Sequence, residues 1–326
     1  MSSPGTTQAP STADGPGSRI VFRDISKFYG EVLGINRVNL DIGPGLTSLV
    51  GPNGSGKSTL MHLMTGLLQP TGGSIRVLGL DPGDVEALFR KLGYCTQYDS
   101  FPHGATGLGF LLTTLRLHGL EPADAEAAAW AALERVGLGD AAHRRIAGYS
   151  KGMRQRIKLA QAHCHDPQVL VLDEPLNGLD PMARSEMIGL MREWAVSGRH
   201  VIVSSHILHE VNAISDAVIL IHGGSIMAEG EIRAVRGQIT SHPIQVLVRC
   251  DRPSVVASRA FEMADVTEAR ILDGDEGLLV RTRDAEGFFR AMNRLVLDNE
   301  LDIETVAPAD EDVQAVYEYL IGGGAA

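Results

Sequence analysis

From Arg19 onward the chain alternates apolar and polar positions. "IVFRDISKFYG" and "INRVNLDIG" each place side chains of opposite character on opposite faces of an extended segment, which predicts two half-buried strands. They lead into "LTSLVG", a short apolar run expected to be a buried strand that enters a glycine-rich turn. The period then changes. "STLMHLMTGLL" has the spacing of one apolar helix face and stops at Pro70-Thr71-Gly72-Gly73. Between about Thr106 and Ala147 the pattern is almost wholly helical, with Pro122 at a helix start ahead of the alanine-rich "ADAEAAAWAALERVGL". This predicts an inserted helical subdomain at about 104–148. Strand and helix then alternate through "QVLVLDEP", a helix from about Pro181 to Ser197, "HVIVSSH", the helix "ILHEVNAIS" and "AVILIHGG". That alternation is the mark of a parallel sheet in an α/β domain.

The composition shifts near Arg236 to Pro243. Beyond it the pattern predicts strands at Ile244–Cys250, Val266–Leu272, Leu278–Arg283 and Ile303–Val306, helices near Ser254–Met263 and Ala285–Asn299, and a last helix at about Glu311–Ile321. In that order they form the split βαβ of a ferredoxin-like α+β domain plus one helix. The expected organisation is a tail at 1–18, an α/β domain at 19–236 and a small C-terminal α+β domain at 243–321. The tail is rich in Ser, Thr, Pro and Gly, with neither a basic start nor an apolar stretch, and reads as disordered rather than as a signal peptide. No long-period repeat is visible.

At 326 residues the chain has ample core for two domains. Its 29 Lys and Arg against 40 Asp and Glu argue against a protein that coats nucleic acid, and no nucleic-acid partner is expected. Cys95, Cys164 and Cys250 are odd in number, far apart and without CxxC spacing, so core thiols in a reducing compartment are expected instead of disulfides or zinc. No segment approaches the roughly 18 uninterrupted apolar residues of a membrane-spanning helix.

Chemistry concentrates at a few motifs. "GPNGSGKST", comprising Gly51, Pro52, Asn53, Gly54, Ser55, Gly56, Lys57, Ser58 and Thr59, satisfies GxxxxGK[ST] between an apolar strand and an amphipathic helix. Its backbone N–H groups can wrap phosphates, Lys57 can reach the β and γ phosphates, and Ser58 can ligate Mg²⁺. "VLVLDEP" ends a buried strand in Asp173 and Glu174. Alone the pair could be a strand-ending turn. Beside Lys57 it reads as an acid that holds Mg²⁺ followed by one that orients and deprotonates the attacking water. A second anion site appears at "YSKGMRQRIKLAQA", where Ser150 and a glycine precede a basic helix. Along that helix Arg154, Lys158, Gln161 and His165 form one stripe, readable as solvated surface, opposite Met153, Ile157, Ala160 and Cys164 on the buried side.

The order and spacing of these motifs resemble the ATP-binding cassette (ABC) ATPases over roughly Arg19 to Arg233. "YSKGM" looks like their signature motif, Gln97 in "CTQYD" like the Q-loop glutamine, "NGLDP" around Asp180 like the D-loop, and His206 in "VIVSSH" like the switch histidine. Tyr29 in "KFYG" sits where the family has an adenine-stacking aromatic; plain half-buried packing is its other reading. His200 and His209 lack the placement of His206 and read as surface residues. Lys151 and Met153 depart from the family's usual glycine and glutamine.

The resemblance implies an ATPase that uses ATP and Mg²⁺, with Ser58, Gln97 and Asp173 near the metal. Two such domains would pack head to tail, each nucleotide lying between the P-loop of one and the signature residues Ser150 and Gly152 of the other. The two anion sites of one chain would then serve two different ATP molecules. The implied partners are a second ATPase subunit and a separate integral membrane permease, which would place the protein peripherally on the cytoplasmic membrane face. "YDSFPHGATGLGFLL", Tyr98 to Leu112, lies where family members receive a coupling helix. The style of the chain resembles exporter ATPases for drugs or organic solutes. ABC ATPases that act on ribosomes or DNA, or that move a membrane protein without transport, are the alternative class. Ribosome-acting members normally carry two cassettes, and DNA-repair members a long coiled coil. Here there is one cassette, with only about fifty residues between Gln97 and Ser150.

Overall fold

The structure, a computed structural model, describes residues 18–206, 211, 214–215, 217–231, 244–272, 277–297 and 303–308. The expected tail before Ser18, most of the helix "ILHEVNAIS" with His209, and the last helix at Glu311–Ile321 lie outside the described residues. The chain divides into two compact units, 1–206 with 219–227 and 207–218 with 228–326.

In the first unit β1 (Ile20–Tyr29) and β2 (Val32–Ile42) pair antiparallel, and β4 (Gly72–Val77) joins the other edge of β1. The register of β1 shifts between Phe22 and Ile25, where Asp24 takes φ 49°. The irregularity returns Ile25 to the buried face that Ile20 and Phe22 occupy, although a strict two-residue period would turn it outward. β4 begins at Gly72, inside the expected breaker, where glycine at φ 83° (Gly73) lets the chain pass closely over the Asp24 carbonyl.

The larger sheet runs β5 (Leu92–Cys95), β6 (Val169–Leu172), β7 (His200–Ser205), β3 (Gly45–Val50), β8 (Ala217–His222), β9 (Ser225–Glu231), with β5, β6, β7 and β3 mutually parallel. Every residue of β6 and β7 is buried, which is why β6 reads as an unbroken apolar run and β7, after His200, as an apolar and small one. The expected helix after the P-loop, α1 (Lys57–Met64), stops short of Leu68, because Gly66 takes φ 76° just past its end. α2 spans Val85–Phe89.

The helical insertion contributes α3 (Gly107–Leu117) and α4 (Pro122–Arg135), which pack with α5 (Lys151–His163) around a core of their own that includes Leu111, Leu115, Leu133 and Ile157. α3 starts at Gly107, capped by Thr106 Oγ1, so the end of "YDSFPHGATGLGFLL" is helix and only its first part is loop. α6 follows at Pro181–Val196.

The second unit contains β10 (Ile244–Cys250), α7 (Pro253–Phe261), β11 (Val266–Ile271), β12 (Leu278–Thr282), α8 (Ala285–Leu297) and β13 (Ile303–Pro308). Its sheet has the order β11-β12-β10-β13 with every neighbour antiparallel, so β12 lies between β10 and β11 as in a split βαβ. Val246, Val248, Val256, Val280 and Phe288 build a separate core. Among the described residues no helix is long and apolar enough to cross a membrane. All three cysteines are free and buried, and burial pushes the thiols of Cys95 and Cys164 up to about 12, which leaves them unreactive.

Candidate active site

Parallel strands of an open α/β sheet present ligands at their carboxyl ends. Here the pairing Val50↔Ser205 and Leu172↔Val203 brings the ends of β3, β6 and β7 level, so the P-loop, Asp173-Glu174 and His206 emerge side by side. β5, next to β6, delivers Gln97 from the same edge.

The P-loop leaves β3 at Gly51 and enters α1 at Lys57. Gly56 takes φ 111°, and a Cβ there would meet the Gly34 carbonyl at 2.8 Å, so only glycine fits. Lys57 is buried and donates to Gly51 O at 2.7 Å and Pro52 O at 3.1 Å. Burial lowers its pKa, while the nearby carboxylates of Glu174 and Asp173 act the other way. Ser58 Oγ donates to Asp173 Oδ2 at 3.1 Å. A hydroxyl and a carboxylate side by side at the P-loop are the hard oxygen donors that Mg²⁺ takes.

Ser204, near the end of β7, connects the two acids. Its Oγ donates to Asp173 Oδ1 at 2.6 Å and accepts the backbone N–H of Glu174 at 2.7 Å. Glu174 itself takes φ 52°, a conformation uncommon for a residue with a side chain. Its Oε2 accepts from His206 Nδ1 at 2.6 Å and from Asn177 Nδ2 at 3.0 Å. An ionised carboxylate only accepts, which assigns a proton to Nδ1 of His206. A cleft of about 500 Å³ opens in front of these groups, lined among others by Tyr29, Asn53, Lys57, Ser58, Gln97 and Glu174. Tyr29 is half-exposed, with its hydroxyl 3.2 Å from Thr59 Oγ1.

Other expected site residues are not in this cleft. Ser150, Gly152 and Asp180 do not line it, and neither do Asp173 and His206, which instead bond to its lining residues Ser58 and Glu174. Ser150 caps α5 through Met153 N–H at 3.2 Å, and Asp180 caps α6 through Ala183 N–H at 2.9 Å. Lys151, the unusual residue of the signature, is the first residue of α5, and its side chain lies across Gly178. A Cβ on Gly178 would overlap it, and Gly178 also takes φ 75°.

Two surface expectations are corrected. His200 is buried on β7 with Nε2 2.8 Å from Ser18 O. Lys158 is not on a solvated stripe either: it is buried, with Nζ 3.1 Å from the Gln97 carbonyl. Both lie on elements packed from more than one side, which a single-element pattern does not register. Ser204 and Asn177 were unassigned at the level of sequence. The doubled serine before His206 and an amide three residues after Glu174 were their only signals.

Residues 35–177 match the family described as ABC transporter. The chain is 37% identical over 244 residues to an uncharacterized ABC transporter ATP-binding protein of Bacillus subtilis, covering 70% of this chain and 80% of that one. The chain belongs to the ABC transporter family. As an ABC ATPase it is also 32% identical to a daunorubicin/doxorubicin resistance ATP-binding protein of Streptomyces peucetius, over 91% of this chain and 90% of that one. A bacitracin transport ATP-binding protein of Enterococcus faecalis is 30% identical over 92% and 96%. A solved ATP-binding subunit of an ABC transporter superposes with a TM-score of 0.63 at 27% identity, over 68% of this chain and 93% of that one. The fold also matches, with a TM-score of 0.61 at 23% identity over 66% and 99%, a dimeric cassette in a post-hydrolysis state bound to ADP and Pi. The ABC ATPase fold and ATP-hydrolysing class expected from the motifs are thereby established.

Proposed function

We propose that two copies of this ABC ATPase close head to tail around two Mg-ATP, that Glu174 deprotonates the water attacking each γ phosphate, and that the cycle drives a separate membrane permease which exports an organic solute. One observation carries the chemistry: Glu174 lines the Lys57 cleft while its Oε2 is held by His206 Nδ1 and Asn177 Nδ2. Held so, it has one fixed orientation toward a water in the cleft. Lys57 and the P-loop N–H groups would hold the phosphates, Tyr29 the adenine, and His206 Nε2 the γ phosphate or the water. Magnesium, held by Ser58 and through water by Asp173, would neutralise phosphate charge, with Gln97 beside it. Ser150 and Gly152 open α5 toward solvent and suit the phosphate of a partner's nucleotide, with Asp180 on the adjoining turn.

Export is supported by the relatives, which are named for drug resistance, bacitracin transport and Nod factor export. Tyr98, beside Gln97 and largely exposed, starts the loop that would meet the permease.

The test is the Glu174→Gln protein. It should bind Mg-ATP as the parent does, lose at least about a hundredfold in hydrolysis, the range of one general base, and sediment as a dimer with Mg-ATP. Purified from gently solubilised membranes, it should bring a polytopic membrane protein in stoichiometric yield. Turnover at the parent rate would remove Glu174 as the base. Ribosomal proteins or DNA in place of a membrane protein would overturn the transport reading alone.

A further inference from the structure

Lys158 lies two turns into α5, the helix that opens at Ser150, and it is 5% exposed. A buried ammonium is costly unless its protons find acceptors. Here two carbonyls and a carboxylate of one short segment surround it. Nζ donates to Thr96 O and Gln97 O, both at 3.1 Å, and stands 3.1 Å from Asp99 Oδ1. One turn earlier, Arg154 donates to Tyr149 O at 3.1 Å and reaches Asp99 Oδ2 at 3.5 Å. The Asp99 carboxylate is thus gripped from two successive turns of α5. Between them Gln155, also buried, places its amide 3.9 Å from Cys95 Sγ, at the end of the strand from which the segment departs.

The bonds from Lys158 are to main-chain carbonyls. They fix the path of the Thr96–Gln97 backbone, not merely the direction of one side chain. Thr96, Gln97 and Tyr98 are themselves exposed, and the loop adds a local bond of its own, from Thr96 Oγ1 to Tyr98 O at 2.9 Å.

We propose that Lys158 is a positioning residue, a latch that ties the loop carrying Gln97 to the helix that Ser150 opens. A displacement at either end is passed to the other through two hydrogen bonds and one ion pair at a single ammonium. The inference rests on the reading in which Gln97 attends this chain's own nucleotide and Ser150 that of a partner. On that reading the latch makes the two nucleotide sites of a closed dimer responsive to one another within each chain, and carries a push on the Tyr98 loop directly to the signature turn.

The test uses the full-length purified protein, with steady-state hydrolysis and binding of a fluorescent ATP analogue. Lys158→Met keeps the apolar stem and removes the donors. It should lower kcat about tenfold while analogue affinity stays within about twofold, the signature of an interaction felt only in the competent state. Asp99→Asn should lower kcat about threefold. The double variant should be no slower than Lys158→Met alone, because the two residues share one interaction. Rates are referred to folded protein, measured by melting curves in the same buffer.

An unchanged kcat, a loss that merely follows the unfolded fraction, or additive losses would overturn the latch. If Lys158→Met fails to fold, Asp99→Asn decides alone: Asp99 is partly exposed, and a parental kcat there would reject the proposal. Gln97→Ala separates the two layers of argument. If it leaves kcat unchanged, the reading of Gln97 fails. If it is impaired while Lys158→Met is normal, only the latch fails.

Discussion

The smallest unit that matters here is one hydroxyl. Ser204 Oγ spans the Asp173 carboxylate and the Glu174 N–H, so it sets both the acid next to Ser58 and the backbone of the acid that lines the cleft. Ser204→Ala leaves a buried carboxylate oxygen and a buried N–H short of a partner, a loss of about 1–3 kcal/mol. The expected outcome is a lower melting temperature together with a kcat reduced by about tenfold or more; loss of stability at full turnover would refute the positioning role. Gly178→Ala is the complementary case. It forces a side chain onto a left-handed backbone and onto Lys151. ATP hydrolysis by the assembled protein should fall while analogue binding by the free chain is retained, because the disturbed turn leads into Asp180 and abuts Lys151, not the P-loop. Asp173 and Glu174 were legible in the sequence because a buried strand ending in two acids beside a P-loop has few other uses. Ser204 was not, because its role depends on the register of β7 against β6, which no local pattern encodes.

At the scale of an element, α5 shows where periodicity misleads. Ile157, Ala160 and Cys164 are buried as the pattern requires, and Lys158 and His165 on the opposite stripe are enclosed too. The helix is packed between the insertion core and β5, so its polar face is an interior one served by carbonyls and carboxylates. His165 Nε2 faces Leu92 O and its ring stacks on His118 at 3.8 Å, while His163 stacks on Trp194 at 4.4 Å. Burial is the main cause that holds both His163 and His165 down to about 4, against an ordinary 6.5, and Arg135 and Arg199 press His163 in the same direction. Below pH 6.5 these two histidines take up protons in the unfolded chain that they refuse in the folded one, so their contribution to stability is full above 6.5, falls as the pH drops toward about 4, and changes no further below. The melting temperature should trace that fall, and His163→Phe, which keeps the stacking, should make it shallower. A pH profile identical to the parent's would reject the assignment to His163.

For the whole molecule, each unit has its own sheet and core, and the expected nucleotide groups described in the structure belong to the first. Mg-ATP should therefore slow amide exchange in the P-loop, in Asp173–Asn177 and around Gln97, and leave β10 and β12 as they were. Protection that appears first in the second unit would relocate the binding site. Deletion after Gly237 tests whether the second unit serves dimer assembly or regulation of hydrolysis: unchanged assembly and unchanged ATPase regulation would reject both roles. Fold class was legible throughout because strand and helix periods are local. The strand order was not, and it has a consequence for biosynthesis. β7 lies between β3, which carries the P-loop, and β6, which carries the acids, yet of the three it is the last to be made. At about 5–20 residues per second, roughly 7 to 30 seconds pass between the synthesis of Lys57 and that of Ser205. Throughout that interval the nascent chain carries a phosphate loop with no acids aligned to it. On the proposed mechanism, a nascent chain that has not reached β7 cannot set its acids beside its P-loop, and so has not yet formed the half-site that a second copy would complete.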